Sequence, residues 1–206
     1  MLSEKNKNIA IILLLIIFFF ITNDSMFSQG KNEPTIWGSF GVGSGFYDFS
    51  DSDVGFQFTC SLNYENGNNN FSLSYLEAHE FVLFRKPYEL MKSIEFKYGK
   101  SKIFSLRGLL LPFPFLLLLK HNFNYSVIGK FGVSLNNYRY RVDIIESYFI
   151  SSTYDQRYKN GFGFPLEIEL REEFADWIGM SVSFYYNLNS INNYFGWNIN
   201  LQLGQF

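Results

Sequence analysis

The sequence predicts an all-β protein folded as a closed, antiparallel, up-and-down β-barrel of about eight strands. Three observations support this prediction. Segments of about ten residues alternate apolar and polar side chains, which is the two-residue period of a strand with one apolar face. The composition, with 25 Phe, 14 Tyr and 16 Gly against three Ala in 206 residues, favours strands over helices. Turn signals separate the segments.

The first 28 residues precede this pattern and read as a removable export signal. Lys5 and Lys7 stand before an uninterrupted apolar run over residues 9–21, and Ser28 offers a small residue at a cleavage point. An uncleaved membrane anchor is the alternative, but the run is shorter than the roughly 20 residues that a spanning helix needs. We therefore expect a signal segment over residues 1–28 and a barrel domain over residues 29–206.

Eight segments carry the strand pattern; six are about as long as a tilted membrane strand, and the third and fourth are shorter versions of it. In chain order their apolar positions fall within Ile36–Phe46, Val54–Tyr64, Phe71–Tyr75, Ile94–Tyr98, Tyr125–Leu135, Phe162–Leu170, Ile178–Leu188 and Phe195–Leu203. Helical periodicity fits none of them.

Short turns and longer connections join these segments. The turns are predicted at Glu65–Asn70, which contains Asn66-Gly67, and at Glu173–Asp176. The longer connections are predicted at Phe46–Asp53, Phe81–Lys92, Arg139–Asn160 and Asn189–Tyr194. With eight strands, the short turns share one end of the barrel with both termini, and Arg139–Asn160 forms a long loop at the other end, an asymmetry typical of outer-membrane barrels.

The stretch Gly99–Phe123 interrupts this scheme. It contains the apolar run Leu109–Leu119, in which two prolines exclude a central strand or a regular helix. A membrane-dipping loop, a bulged strand end and a ninth segment all remain open for it.

The polar face indicates which side of the barrel meets lipid. Six charged residues of both signs share that face and are predicted to pair across a lumen filled by side chains: Glu95, Lys97, Lys130, Glu167, Glu169 and Arg171. Four aromatic residues near strand ends are predicted to form girdles at the two membrane interfaces: Trp37, Trp177, Tyr194 and Trp197. The alternative is a periplasmic or secreted all-β domain that binds an apolar ligand inside and exposes its polar face.

The C-terminal third resembles a known family. Residues 161–174, 178–189 and 195–204 resemble the closing three strands of small outer-membrane barrels common in Bacteroidota, which are related to the eight-stranded OmpA/OmpX type. The resemblance implies a bacterial outer-membrane location, reached through export. It also implies contact with outer-membrane lipid, insertion by the barrel-assembly machinery and a monomeric state.

Composition and motifs indicate no enzyme. The 17 basic and 19 acidic residues argue against nucleic-acid binding, and the single Cys60 excludes an intrachain disulfide. Glu77 and His79 share a strand face but lack a third metal ligand. Neither His79 nor His121 is followed two residues later by Ser, as a lipid-modifying barrel enzyme would require. We expect no cofactor, no metal and a structural or surface-interaction role, with a lipid-modifying enzyme as a further alternative.

Overall fold

The structure is a computed structural model that describes residues 31–47, 54–80, 90–104, 124–147 and 152–205. These residues form one closed antiparallel barrel in which each strand pairs with its neighbours in sequence and β8 closes on β1. The predicted fold class is confirmed. The eight strands are β1 (Lys31–Tyr47), β2 (Val54–Gly67), β3 (Asn69–Glu80), β4 (Leu90–Phe104), β5 (Asn124–Ser147), β6 (Ser152–Ala175), β7 (Ile178–Asn189) and β8 (Tyr194–Gly204).

The two rims of the barrel differ. One rim, here called the terminal end, holds the start of β1, the end of β8 and the two tight turns between β2 and β3 and between β6 and β7. Gly67, with a φ of 61°, supplies the left-handed conformation that the first of these turns requires. The second turn lies at Asp176–Trp177, slightly beyond the predicted position.

The opposite rim, here called the ribbon end, corrects the predicted long loop. Most of Arg139–Asn160 continues β5 and β6 as a hairpin that pairs as far as Ser147 with Ser152. Among the described residues, β4 pairs with β5 up to Arg139, and residues 140–147 and 152–157 pair with each other as a two-stranded ribbon. The stretch is rich in Tyr, Val, Ile and Thr, which favour strands.

The wall has an apolar outer face and a polar inner face. Large apolar side chains from all eight strands are exposed, among them Phe40, Leu62, Leu73, Ile94, Val133, Phe164, Phe184 and Leu201. The alternate residues point inward and are mostly Ser, Asn, Gln, Glu and Lys, buried against one another. The orientation is therefore the reverse of that required by a soluble barrel with an apolar interior.

Two predicted features are not covered by the described residues. The export signal over residues 1–28 and the apolar run Leu109–Leu119 both lie outside them. The stretch predicted to break the pattern begins later than expected, because β4 continues regularly from Gly99 to Phe104. Among the described residues, no helix is long and apolar enough to cross a membrane.

Candidate functional site

The middle of the barrel interior holds a group of alternating charges, here called the central charge network. Its members are Glu95, Lys97, Lys130, Glu167 and Glu169. All five are buried, and they come from inward positions of the three consecutive strands β4, β5 and β6. Five of the six residues that the sequence assigned to a lumen network are thus in mutual contact.

Each lysine of the network lies between two carboxylates. The ammonium group of Lys97 is 3.1 Å from Glu95 Oε2 and also bonds Glu167. The ammonium group of Lys130 is 3.1 Å from Glu167 Oε1 and also bonds Glu169. Glu167 therefore accepts from both lysines, which joins the two halves of the network. Burying a charge is costly unless it is paired and hydrogen-bonded, so this sharing offsets the cost of burying these charged groups.

Neutral donors add hydrogen bonds to Glu95 and Glu169, the carboxylates at the two ends of the network. Tyr185 donates its hydroxyl to Glu95, and Ser93 donates to the same carboxylate over 3.0 Å. On the other side, the Gln202 amide donates to Glu169. The network thereby extends to β7 and β8 and links strands that are not neighbours around the wall.

Arg171, the sixth predicted residue, belongs to a second group nearer the terminal end, here called the Arg171 cluster. Its Nη2 lies 3.1 Å from Glu65 Oε2 and 3.3 Å from Glu173 Oε1. Its Nε donates to Ser126 over 2.9 Å. The guanidinium group stacks 4.5 Å from the ring centre of Trp37. A planar guanidinium suits this surrounding, since it can bond carboxylates at its edge while an aromatic ring covers its face.

The contact with Arg171 shows that the prediction for Trp37 is wrong. Trp37 was expected at a membrane interface, but it is 1% exposed and points into the lumen. Its neighbours Ile36 and Phe40 show why: they carry the apolar outer face of β1, and Trp37 has the opposite parity to both. The position of Trp37 near a strand end suggested an aromatic girdle at the membrane interface, but the alternation along β1 places its side chain inside the barrel.

Tyr194 is a second wrong interface assignment. It is fully buried in an apolar group inside the barrel at the ribbon end, here called the apolar cap. The cap consists of Leu76, Ala78, Met91, Tyr138, Tyr185 and Tyr194, with Tyr140 and Ile191 packed against it. The tyrosine hydroxyls allow it to meet the polar interior, as in the bond from Tyr194 to Gln57. Sequence reasoning missed this cap because it assigned a polar character to the whole inner face.

The other two predicted interface aromatics face away from the lumen. Trp177 lies on the turn between β6 and β7 and is 63% exposed. Trp197 lies on the outer face of β8 and is 39% exposed. Their placement at a membrane interface stays a prediction.

Glu65 is the main interior residue that the sequence analysis missed. It bonds both Arg171 and the hydroxyl of Ser101, the latter over 2.7 Å. The prediction placed it in a turn, but β2 continues through Gly67. Its parity, shared with Asn63 and Ser61 on the polar face, was the signal that could have found it.

A cavity of about 30 Å³ lies beside the central charge network, lined by network residues and by Ser and Asn from the surrounding strands. That volume is large enough to hold water. Gly99 helps to make room, because a Cβ there would lie 2.7 Å from Cγ of Lys130 on the neighbouring strand.

A polar group on the outer face at the ribbon end contains Glu77, Tyr75, His79 and Lys92. Glu77 accepts from Tyr75 and lies 2.9 Å from His79 Nε2 and 3.6 Å from Lys92 Nζ. Within the described ranges, no hydrogen bond is seen between His79 and a serine hydroxyl, and no cluster of three or more His, Cys, Asp or Glu could hold a metal ion. His121 lies outside the described residues.

The barrel's strand number, connectivity and orientation place it structurally with the small eight-stranded barrels of bacterial outer membranes, the OmpA/OmpX-like type. The N-terminal β-barrel domain of Pseudomonas aeruginosa OprF superposes with a TM-score of 0.50 at 12% sequence identity, covering 85% of this chain and 99% of that one. At this identity the similarity shows the fold alone.

Two further solved structures are similar at lower scores. Neisserial surface protein A (NspA) has a TM-score of 0.48 at 9% identity, covering 84% of this chain and 97% of that one. Ail, the attachment invasion locus protein of Yersinia pestis, has a TM-score of 0.49 at 11% identity, covering 85% of this chain and 99% of that one. The sequence matches no protein-family profile and no curated protein. The resemblance to Bacteroidota barrels stays a prediction.

Proposed function

We propose that this protein is a non-enzymatic bacterial outer-membrane barrel with a structural or surface-interaction role. The observation that supports this most strongly is the reversal of polarity across the wall. Exposed apolar side chains cover all eight strands, while charged groups are buried inside. Soluble monomers rarely expose contiguous apolar patches above a few hundred Å², so this outer surface is suited to hydrocarbon.

The interior favours a barrel that does not conduct solutes. The Arg171 cluster, the central charge network and the apolar cap follow one another from the terminal end to the ribbon end. An eight-stranded barrel is just wide enough to be filled by its own side chains. We expect planar bilayers containing the purified protein to show no steady single-channel conductance. Stable open channels would contradict the plugged lumen without affecting the membrane location.

Among the residues that the structure describes, the ribbon is well placed to meet other molecules. If both termini lie in the periplasm, the ribbon end faces outward, and residues 140–147 and 152–157 project into the medium. Tyr158 at its base is 63% exposed. Two-stranded ribbons of this kind present backbone groups along both edges, which partner strands can bond. This arrangement supports surface interaction rather than catalysis.

The membrane assignment is tested by comparing two exposed aromatic positions. In a Cys60→Ser background, Phe184→Cys and Tyr158→Cys are labelled with a small fluorophore and the protein is reconstituted into vesicles. Both native side chains are at least half exposed, but only Phe184 lies within the apolar outer face. We expect lipid-resident nitroxides to quench the Phe184→Cys label and aqueous iodide to quench the Tyr158→Cys label. Equal quenching of both labels by iodide would favour a soluble domain.

Two simpler measurements support or exclude the same proposal. The native protein should sediment with outer membranes and should migrate as a compact species in detergent gels unless boiled. A lipid-modifying enzyme would change the acylation of membrane lipid when overproduced. An unchanged acylation pattern is expected, and a changed one would overturn the non-enzymatic role.

A further inference from the structure

The central charge network contains one more carboxylate than ammonium groups. Its three glutamates and two lysines carry one net negative charge when all are ionised, and each residue is at most 8% exposed. The Arg171 cluster does not supply the missing positive charge, because Arg171 lies between two carboxylates of its own, Glu65 and Glu173. A net charge in a poorly solvated interior is costly unless it is compensated. The network therefore requires one further positive charge, from a proton or from a bound cation.

The 30 Å³ cavity beside the network is lined by oxygen-bearing side chains on the strands that carry no network charge. Strand pairing arranges hydroxyl groups in rows that lead around the wall to the carboxylates at the two ends of the network. Ser39, Ser61 and Ser74 pair in succession across β1, β2 and β3, and Ser74 pairs with Glu95. From the other direction, Ser183 on β7 pairs with Glu169. The cavity thus lies between a charged side and a side rich in neutral oxygens.

Asn198 on β8 adds an unsatisfied oxygen to this cavity lining. It pairs with Ser183 and is 3% exposed, and its Oδ1 has no hydrogen-bond partner among the described residues. Glu95 Oε2 is a second such oxygen, since it lies 3.1 Å from the Lys97 ammonium group without accepting a hydrogen bond. Both atoms are acceptors, and leaving a buried acceptor unsatisfied is costly. A water molecule could satisfy an acceptor, but a cation would also supply the missing charge.

We propose that this cavity binds one sodium ion, which balances the central charge network. Oxygen ligands suit hard cations, and the surplus to be balanced is a single charge. A divalent ion would reverse the sign of the net charge instead of removing it. Among the described residues, no cluster of three or more His, Cys, Asp or Glu is present to hold a more highly charged metal. The site is internal and independent of the surface role proposed above.

The test is a urea titration of the full chain folded in neutral lipid vesicles, followed by tryptophan fluorescence. Sodium replaces choline stepwise at constant total chloride, so that the screening of charges stays the same. Choline is too large for the cavity. Above the dissociation constant of one site, each tenfold rise in sodium should raise the equilibrium constant for folding about tenfold. The logarithm of that constant then rises with the logarithm of sodium concentration with a slope of about one.

One pair of variants tests the role of the surplus charge. Glu95→Gln leaves two carboxylates to balance two ammonium groups, so it is expected to abolish the dependence on sodium. The matched control is Glu77→Gln on the outer face. Glu77 also accepts a tyrosine hydroxyl and lies near a lysine, but it does not line the cavity, so the dependence on sodium should be retained.

A second pair of variants tests the neutral ligand. Asn198→Leu removes the unsatisfied Oδ1 and is expected to shift the sodium dependence to concentrations about tenfold higher, as expected when one polar contact to a charge is lost. Asn63→Leu is the matched control, because Asn63 is equally buried and its Oδ1 is also unsatisfied among the described residues, yet it does not line the cavity. The compact species on unboiled gels verifies that each variant is folded.

Three results would overturn the proposal. Equal stability of the native protein in sodium and in choline would mean that a proton balances the network and that the cavity holds water only. An undiminished sodium dependence in Glu95→Gln would place the ion elsewhere. Equal shifts in Asn198→Leu and Asn63→Leu would show that the cavity is not where sodium binds.

Discussion

The central charge network and the Lys92–Glu77 pair contain the same chemical groups on opposite sides of one wall. Inside, Lys130 is buried and bonds two carboxylates, Glu167 and Glu169. Outside, Lys92 is nearly half exposed and lies 3.6 Å from one carboxylate. Removing a partner from a buried network leaves an uncompensated charge in a poorly solvated space, whereas an exposed partner is solvated by its surroundings. The same residue type therefore belongs to a buried charge network inside and to a partly exposed ion pair outside.

The largest expected effect is the loss of Lys130. Lys130→Met is expected to lower the free energy of unfolding by about 3–5 kcal/mol, because it leaves Glu167 and Glu169 with less compensation. Lys92→Met is the matched variant and is expected to cost at most about 1 kcal/mol. Urea titration of the protein folded in neutral lipid vesicles, followed by tryptophan fluorescence, measures both. Equal costs would show that the interior charges are as well solvated as the outer ones.

The Arg171 cluster sharpens the comparison, because here the geometry of the cation matters as well as its charge. Arg171→Lys keeps the charge but loses the planar group that contacts Glu65, Glu173, Ser126 and the face of Trp37. We expect a loss of about 1.5–3 kcal/mol, the usual cost of hydrogen bonds to charged groups. The exposed Arg157, substituted by Lys on the ribbon, should leave the urea midpoint unchanged. An unaltered midpoint in Arg171→Lys would show that charge alone holds the cluster.

Glycines provide a third comparison between the two faces. At Gly99, an added methyl group would meet the Gly129 carbonyl oxygen and lie 2.7 Å from Cγ of Lys130. Gly99→Ala is therefore expected to cost about 1–3 kcal/mol through overpacking. At Gly38 the nearest atom to such a methyl group is 3.8 Å away, so Gly38→Ala is expected to stay within about 0.5 kcal/mol. The same titration measures both. A Gly99→Ala variant as stable as Gly38→Ala would mean that the network has room to shift.

The sequence predicted the features that follow from alternation alone. The inward position of the six charged residues depends on side-chain parity, which a one-residue shift would reverse along an entire strand. Register then brought Lys130 directly opposite Glu167 on β6. Side-chain parity determined whether each residue faces the lumen or the outside, and strand pairing determined which residue lies beside it on the next strand.

The failures arose where another signal was preferred to parity. Trp37 and Tyr194 were assigned by residue type and closeness to strand ends, although their parity places both inside. Glu65 was assigned to a turn, but that turn is shorter than the sequence suggested, and Glu65 lies within β2. The sequence analysis predicts a loop at the ribbon because alternation is weak there, although its residues pair as far as Ser147 with Ser152.

The smallest expected effect distinguishes the tryptophans and tests the corrected assignment of Trp37. The chain has three tryptophans, of which Trp37 is 1% exposed and enclosed by the wall, whereas Trp177 and Trp197 face away from the lumen. In vesicles containing brominated lipid, Trp37→Phe should slightly raise the quenched fraction of the emission, because it removes a shielded emitter. Trp197→Phe should lower that fraction, because Trp197 shares the apolar outer face of β8 with Leu201. A lower quenched fraction in Trp37→Phe would return Trp37 to the membrane side and would contradict its stacking on Arg171.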